Sequence, residues 1–219
     1  MECDSLGAGM AMNDGGRAGE FEWRDVTTEC RDVRASARGE ELRCLVNRET
    51  IVHTTTGHAV TRVIIRHPGI CVMVPFASES EIVLIRQYRY PLGGELWELP
   101  AGTLSGREDD GRAIATESPE RCAARELQEE TGYEAAEWDK VATYYAMPGA
   151  SDEIVHVFVA RGLRKGAPAL DEGELIREAR AFEMAELERM IARGEVRDAK
   201  SLVGLFYALA RRPGGVRIV

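Results

Sequence analysis

Between Ser118 and Gly132 the chain carries the signals for both ends of a helix, and what lies between them limits what can be built around it. Ser118 is a preferred N-cap, Pro119 suits a first turn that needs no amide hydrogen, and Glu120 favours the positive end of the helix dipole. Gly132 tolerates the left-handed conformation that ends many helices. Inside the helix, Glu126, Glu129 and Glu130 recur at i, i+3 and i+4 and so project from one side. Three carboxylates crowded there repel one another. An acidic triplet most often means a solvated face. The alternative is a seat for a hard divalent cation, which takes oxygen ligands together with substrate phosphates. Arg125 has two readings as well: a surface i, i+4 partner of Glu129, worth a few tenths of a kcal/mol, or part of a site.

The rest of the chain reads as a mixture of strands and helices. Leu45–Val46, Ile51–Val52, Val60 and Val63–Ile65 predict two strands turning at Thr56–Gly57, within a β-like pattern that begins near residue 41. Ile70 to Phe76 and Ile82 to Tyr90 are apolar or aromatic runs of buried-strand type. Leu96–Leu99 is a short strand stopped by Pro100. Val141 to Met147, Ile154 to Ala160 and Arg177 to Phe182 predict further strands. Met184 to Ala192 and Ala199 to Ala210 predict helices, the last with Leu202, Leu205, Phe206 and Leu209 on one face. Residues 103–116, polar and glycine-containing, read as a loop. The expected class is α+β with a mixed sheet and helices packed on it.

A chain of 219 residues suits one large domain with a small appendage, and its net charge of -9 disfavours nonspecific binding to nucleic acid or an anionic membrane. A small anionic substrate stays open, because a bound metal reverses the local field. Five scattered cysteines without paired spacing suggest reduced thiols in a cytoplasm. No signal peptide or membrane span is read, and the four histidines show no ligand spacing. The expected organisation is a flexible tail at 1–20, a small N-terminal β-strand extension at 21–66, the main domain at 67–211 and a C-terminal tail at 212–219.

Gly111, Glu117, Arg125–Glu126, Leu127, Glu129–Glu130 and Gly132 stand at the spacing G-x5-E-x7-R-E-U-x-E-E-x-G-U, where U is aliphatic; only Tyr133 departs, at the final position. The segment resembles the Nudix box. That resemblance implies a Nudix fold, a mixed β-sheet sandwiched between helices, and divalent-metal hydrolysis of diphosphate bonds with magnesium, or alternatively manganese. It implies Glu126 and Glu130 as the main metal ligands, Glu129 assisting, and Glu117 and Arg125 orienting the site.

Three further stretches resemble the ADP-ribose and ADP-sugar diphosphatase branch: Arg86-Gln87-Tyr88-Arg89 followed by Trp97 to Gly102, the Pro148 loop, and Gly194 to Lys200. In that branch the carbonyl of the residue matching Ala101 faces the metal. Arg86 and Arg89 suit phosphate or a stacked base, or are ordinary strand-surface charge. Glu98 either accepts from an adenine amino group or is a strand-end surface acid. Trp97 reads as core. Pro148 most simply shapes its loop, and 194–200 most simply starts a helix. In the family one glycine serves both the Pro-Ala-Gly turn and the start of the box. Here Gly102 belongs to the turn while Gly111 meets the literal spacing, and nine extra residues separate Gly102 from Glu117. The Gly111 spacing is therefore expected to be coincidental, and the loop dispensable for folding.

The base is expected from the loop at Leu170 to Ile176, where Glu174 matches the family's acidic loop and Glu172 is the alternative. The implied reaction is water attack on ADP-ribose or a related nucleoside diphosphate sugar, giving AMP and a sugar phosphate. The alternatives are another nucleotide sugar or a non-catalytic nucleotide-binding module. The resemblance also implies a homodimer paired through the N-terminal strands, with Arg66 reaching a neighbour's substrate pocket, and no nucleic-acid or membrane partner.

Overall fold

The computed structural model describes residues 17–18, 21–36, 39–166 and 175–210. In chain order its elements are β1 (Arg17–Ala18), β2 (Phe21–Ser36), β3 (Gly39–His53), β4 (Ala59–Arg66), β5 (Ile70–Pro75), β6 (Glu81–Arg89), a 3-10 turn (Tyr90–Leu92), β7 (Gly94–Glu98), β8 (Ala101–Thr103), β9 (Gly106–Asp109), β10 (Arg112–Ala115), α1 (Pro119–Thr131), β11 (Tyr133–Glu134), β12 (Glu137–Tyr145), β13 (Ile154–Arg161), β14 (Arg164–Lys165), β15 (Ile176–Glu183), α2 (Met184–Ala192) and α3 (Ala199–Ala210). They divide into two units. One comprises 70–102, 118–144 and 155–219; the other comprises 1–69, 103–117 and 145–154. The expected tails, apart from Arg17–Ala18, and residues 167–174 lie outside the described residues.

In the first unit one sheet runs β12-β13-β5-β8. β13 lies parallel to β5, from Val155 opposite Ile70 to Ala160 opposite Pro75. All six β5 residues are buried, so the strand reads as a continuous apolar run without alternation. Successive side chains point to opposite faces, and this sorts the helices. The Cys71 thiol donates to the Pro119 carbonyl of α1 at 3.1 Å, whereas Val72 and Val74 meet α3 beside Gly204. The sheet therefore lies between α1 and α3, the layered α+β arrangement expected. A second, antiparallel sheet, β15-β6-β7, completes the unit. The core gathers Val72, Val74, Leu84, Val157, Phe182 and Leu205 among others.

Helix α3 has the expected bounds, and of its expected face Leu205 is in the core with Leu202 packed against it, but the buried side is turned away from Phe206. Ser201, Gly204, Leu205 and Ala208 are buried, while Phe206 is exposed. Small residues let the helix approach closely: a Cβ on Gly204 would lie 2.7 Å from Leu99 Cδ1. Close approach rotates the helix toward its small-residue stripe and leaves the bulky Phe206 outside.

The second unit is built on the antiparallel sheet β1-β2-β3-β4. The β3–β4 turn falls as expected, with Gly57 at φ +69. Strand β2 begins twenty residues before the β-like pattern does, because its register on β3 shifts between Trp23 and Asp25, Thr28 and Cys30, and Asp32 and Val33. Each shift resets the two-residue alternation by which a strand is recognised.

Residues 103–116 depart most from expectation. They form a hairpin, β9 with β10, not a loop. Asp110 (φ 49) and Gly111 (φ 71) form its turn, and an Asp-Gly pair suits two positive φ angles in succession. Gly111 is thus a turn residue. Its carbonyl accepts from Asn47 Nδ2 at 2.7 Å, with Asn47 fully buried. Arg31 makes a two-point ion pair with Glu108. A Cβ on Gly106 would lie 2.9 Å from Pro68 Cβ. The hairpin is packed structure, which argues against its being dispensable for folding. Deleting Glu108 to Thr116 removes the Gly111 acceptor and leaves the Asn47 amide with Glu49 Oε1 at 3.2 Å, a loss of one buried hydrogen bond worth about 0.5–1.5 kcal/mol. In a chain of this size each kcal/mol lowers the melting temperature by about 2–4 °C. A melt followed by circular dichroism checks this; an unchanged midpoint would refute the anchoring.

Among the described residues no helix is long and apolar enough to cross a membrane.

Candidate active site

The ends of α1 form as their residues require. The Ser118 hydroxyl accepts from Arg121 N at 3.3 Å, and Gly132, at φ 72, donates its N–H to the Gln128 carbonyl at 2.8 Å. Periodicity placed three carboxylates on one side of this helix, and packing separates them. Glu126 and Glu130, 1% and 4% exposed, are buried, whereas the Glu129 side chain keeps 20% of its exposure. Arg125 Nη1 joins Glu126 Oε1 at 2.6 Å and Glu129 Oε2 at 2.8 Å. The i, i+4 pair with Glu129 is present, but Arg125 is itself largely buried.

The two buried carboxylates face the Pro100–Gly102 bend. Glu130 Oε2 accepts from the Ala101 amide at 2.8 Å. A Cβ on Gly102 would come within 1.9 Å of Glu126 Cδ, so only glycine lets the backbone pass there. Gly102 thereby fills the place expected of the turn glycine. The described residues hold no group of three His, Cys, Asp or Glu side chains gathered around one point. The donor set is two buried carboxylates with the Ala101 backbone beside one of them.

Arg89 and Glu98 form a two-point pair at 2.8 and 2.6 Å. Glu98 is 1% exposed, so it is not a strand-end surface acid. Both its oxygens are taken by Arg89, and Lys200 Nζ stands 3.7 Å from one of them. Accepting from an adenine would require Arg89 to let go. The hydrogen bonds it donates to Glu98 hold the Arg89 guanidinium above its ordinary pKa, with Glu130 adding to the field. Arg86 keeps the character of strand-surface charge: half-exposed, 3.6 Å from Glu95 and 3.4 Å from Glu178. Its guanidinium lies 5.7 Å from the Trp97 ring centre, a cation–π contact. Trp97 packs edge-on to Phe182 with centroids 4.8 Å apart, as a core residue does.

The second unit holds two further candidates. Glu117 Oε2 accepts from the Ser105 amide and hydroxyl, each at 3.3 Å. Arg66 pairs with buried Glu49 at 2.6 and 2.8 Å and with Asp152 at 3.0 Å. It lines a cavity of about 420 Å³ with Ile51, Ile64, Tyr145, Pro148 and Asp152. Glu172 and Glu174 lie outside the described residues.

Sequence reasoning missed Asp198, Lys200 and Ser201. The run Gly194 to Lys200 resembles a stretch of the diphosphatase branch, but by itself it most simply starts a helix and assigns no role to these side chains. Asp198 does cap α3, accepting from Ser201 N at 3.0 Å, and it also takes the Ser201 hydroxyl at 2.8 Å. Burial pushes the Asp198 carboxyl up, but Lys200 and Ser201 outweigh this and hold it below the usual range. The polar run Asp-Ala-Lys-Ser at the start of an otherwise apolar helix was the available signal.

Buried carboxylates spaced one turn apart on a helix, set against a glycine bend over a mixed sheet, define a class of oxygen-rich sites suited to polyphosphate chemistry. The family model described as the NUDIX domain matches residues 65–203. The chain is 35% identical over 158 residues to the methanol dehydrogenase activator of Bacillus methanolicus, and equally to the ADP-ribose pyrophosphatase of Bacillus subtilis. Each alignment covers 71% of this chain and 80% of the relative. A solved ADP compounds hydrolase matches in fold with a TM-score of 0.61, covering 94% of both chains at 20% identity. The chain belongs to the Nudix family and is a Nudix hydrolase.

Proposed function

We propose that this enzyme cleaves the diphosphate of ADP-ribose, or of a closely related nucleoside diphosphate sugar, giving AMP and a sugar phosphate. The observation that carries the reading is the pair of buried carboxylates, Glu126 and Glu130, against the Ala101–Gly102 backbone. The likeness to the Bacillus subtilis ADP-ribose pyrophosphatase supports the choice of substrate.

The donor set fits magnesium, with manganese as the alternative. Magnesium is commonly held by one or two carboxylates, several waters and the substrate's phosphates, so a closed protein cage is not needed. Glu126, Glu130 and the Ala101 carbonyl would hold it, with Glu129 assisting. Bound there, it would neutralise the diphosphate and lower the pKa of water. Arg125 holds the Glu126 and Glu129 carboxylates in place, and Glu117 orients the site as the first glutamate of the box. Arg86 and Arg89 meet phosphate or base. Glu98 restrains Arg89 and is available to an adenine amino group only when that pair opens. Glu174 takes the proton of the attacking water, with Glu172 as the competing base.

The reading includes a homodimer formed through the N-terminal sheet, where Val33 and Val63 are exposed. Arg66 would then serve the partner's substrate. Sedimentation showing only monomer at micromolar concentration would overturn that part. Among the described residues Cys30, Cys44, Cys71 and Cys122 form no disulfide.

A panel of ADP-ribose, other ADP-sugars and GDP-sugars, each with magnesium, manganese or chelator, tests the function. ADP-ribose is expected to give the highest kcat/KM, with AMP and ribose 5-phosphate as products and no turnover in chelator. Preference for a GDP-sugar would overturn the substrate, and chelator-resistant turnover the metal. Binding without turnover of any member would favour a non-catalytic module.

A further inference from the structure

Strand β7 ends at Glu98, and the next three residues run through a bend in which Pro100 has no amide hydrogen. Leu99 is buried, so its N–H needs an acceptor away from water. The Ser201 hydroxyl of α3 supplies it at 2.7 Å, across 102 residues of sequence. That hydroxyl gives its own proton to Asp198 Oδ2 at 2.8 Å, so its lone pairs are free to face Leu99. Ser201 is fully buried, and no rotation toward solvent competes with this geometry.

The neighbouring backbone groups are held by other elements. The Pro100 carbonyl accepts from Met73 N of β5 at 2.9 Å. The Ala101 N–H goes to Glu130 of α1 at 2.8 Å. Three successive residues are thus pinned by α3, β5 and α1 in turn. Releasing the first frees the bend to rotate about the other two, and the group that then moves is the Ala101 peptide beside Glu130. Lys200, the residue before Ser201, bonds Asp198 at 2.7 Å and stands 3.7 Å from Glu98, tying the same helix start to the strand end.

We propose that Ser201, oriented by Asp198, is a positioning residue for the cation-binding end of the site, acting through the Leu99–Ala101 backbone. This rests on the reading that Glu126, Glu130 and the Ala101 carbonyl hold a divalent cation. The α3 cap is therefore part of the active-site framework and not only a helix start.

The test is manganese binding to the full chain, measured by electron paramagnetic resonance well below the melting temperature, with no substrate present. Ser201→Ala is expected to weaken manganese binding about tenfold, the lower end of what removing an outer partner of a metal site costs. Asp198→Ala is expected to weaken it in the same direction by less, and it carries the test if Ser201→Ala does not fold. Ala208→Gly, buried in the same helix, measures simple destabilisation: it should lower the melting temperature and leave manganese affinity at the wild-type value. Equal loss of affinity in Ser201→Ala and Ala208→Gly would make the role merely structural and overturn the proposal. Glu126→Gln separates the two readings. If it retains full affinity, the cation reading fails; if it loses affinity while Ser201→Ala and Asp198→Ala do not, the positioning role alone fails.

Discussion

Replacing Glu126 or Glu130 by glutamine is expected to lower kcat by roughly 10²- to 10³-fold, the scale of losing one preorganised charge-stabilising group in a water-poor site. The two variants should differ in how they fail. Glu126→Gln leaves Arg125 an amide oxygen to bond but removes the charge it balances. The largely buried guanidinium then keeps only the Glu129 carboxylate as a charged partner, so some stability is lost along with activity. Glu130→Gln keeps an acceptor for the Ala101 amide, so the bend should persist while the charge disappears. Steady-state rates across a magnesium titration, with far-ultraviolet circular dichroism as the folding control, measure both. Unchanged rate and magnesium dependence in the two variants would remove these residues from the metal site. Glu129→Gln, at a partly exposed position, should fall between these variants and the wild type.

Glu174→Gln should lower kcat by roughly 10²- to 10⁴-fold, the usual worth of a general base, with a smaller effect on the magnesium requirement. Glu172→Gln should be mild by comparison. The motive is the position of Glu174 in the polar segment before β15, the segment that matches the family's acidic loop. A base acts on the pH–rate profile, so the acidic limb should be lost in Glu174→Gln and retained in Glu172→Gln. The reverse pattern would move the base to Glu172.

Elements written in local signals were legible. The bounds of α1 follow from Ser118 and Gly132, because a cap and a left-handed stop each act within one turn. β5 and β6 were legible because burial on both faces leaves little room for polar residues. β2 was not read as a strand, since its bulges interrupt the alternation that would reveal it. The β9–β10 hairpin had a legible turn in Asp110–Gly111, but its polar strands resembled a loop. What makes them strands is their anchoring to Asn47 and Arg31, far away in sequence.

Candidate residues divide in the same way. The box alone pointed to Glu117, Arg125, Glu126, Glu129 and Glu130, because helical period and spacing are properties of the chain itself. The partners of Glu98 were hidden: Arg89 sits across a β6–β7 pairing and Lys200 on a helix a hundred residues on. Ser201 looked like one small residue in an apolar helix until the fold placed Leu99 N against it.

From its sequence this chain determined a capped helix, the period of its carboxylates and membership of the Nudix family, since each depends on residues within a few turns of one another. Only the tertiary structure decided which carboxylates are buried. Helical spacing treats Glu126, Glu129 and Glu130 as one side, but the Pro100–Gly102 bend covers two of them and leaves the third partly exposed. The bend itself is held by hydrogen bonds to α3 and β5, and bonds of that length in sequence exist only once hydrophobic burial has brought the segments together.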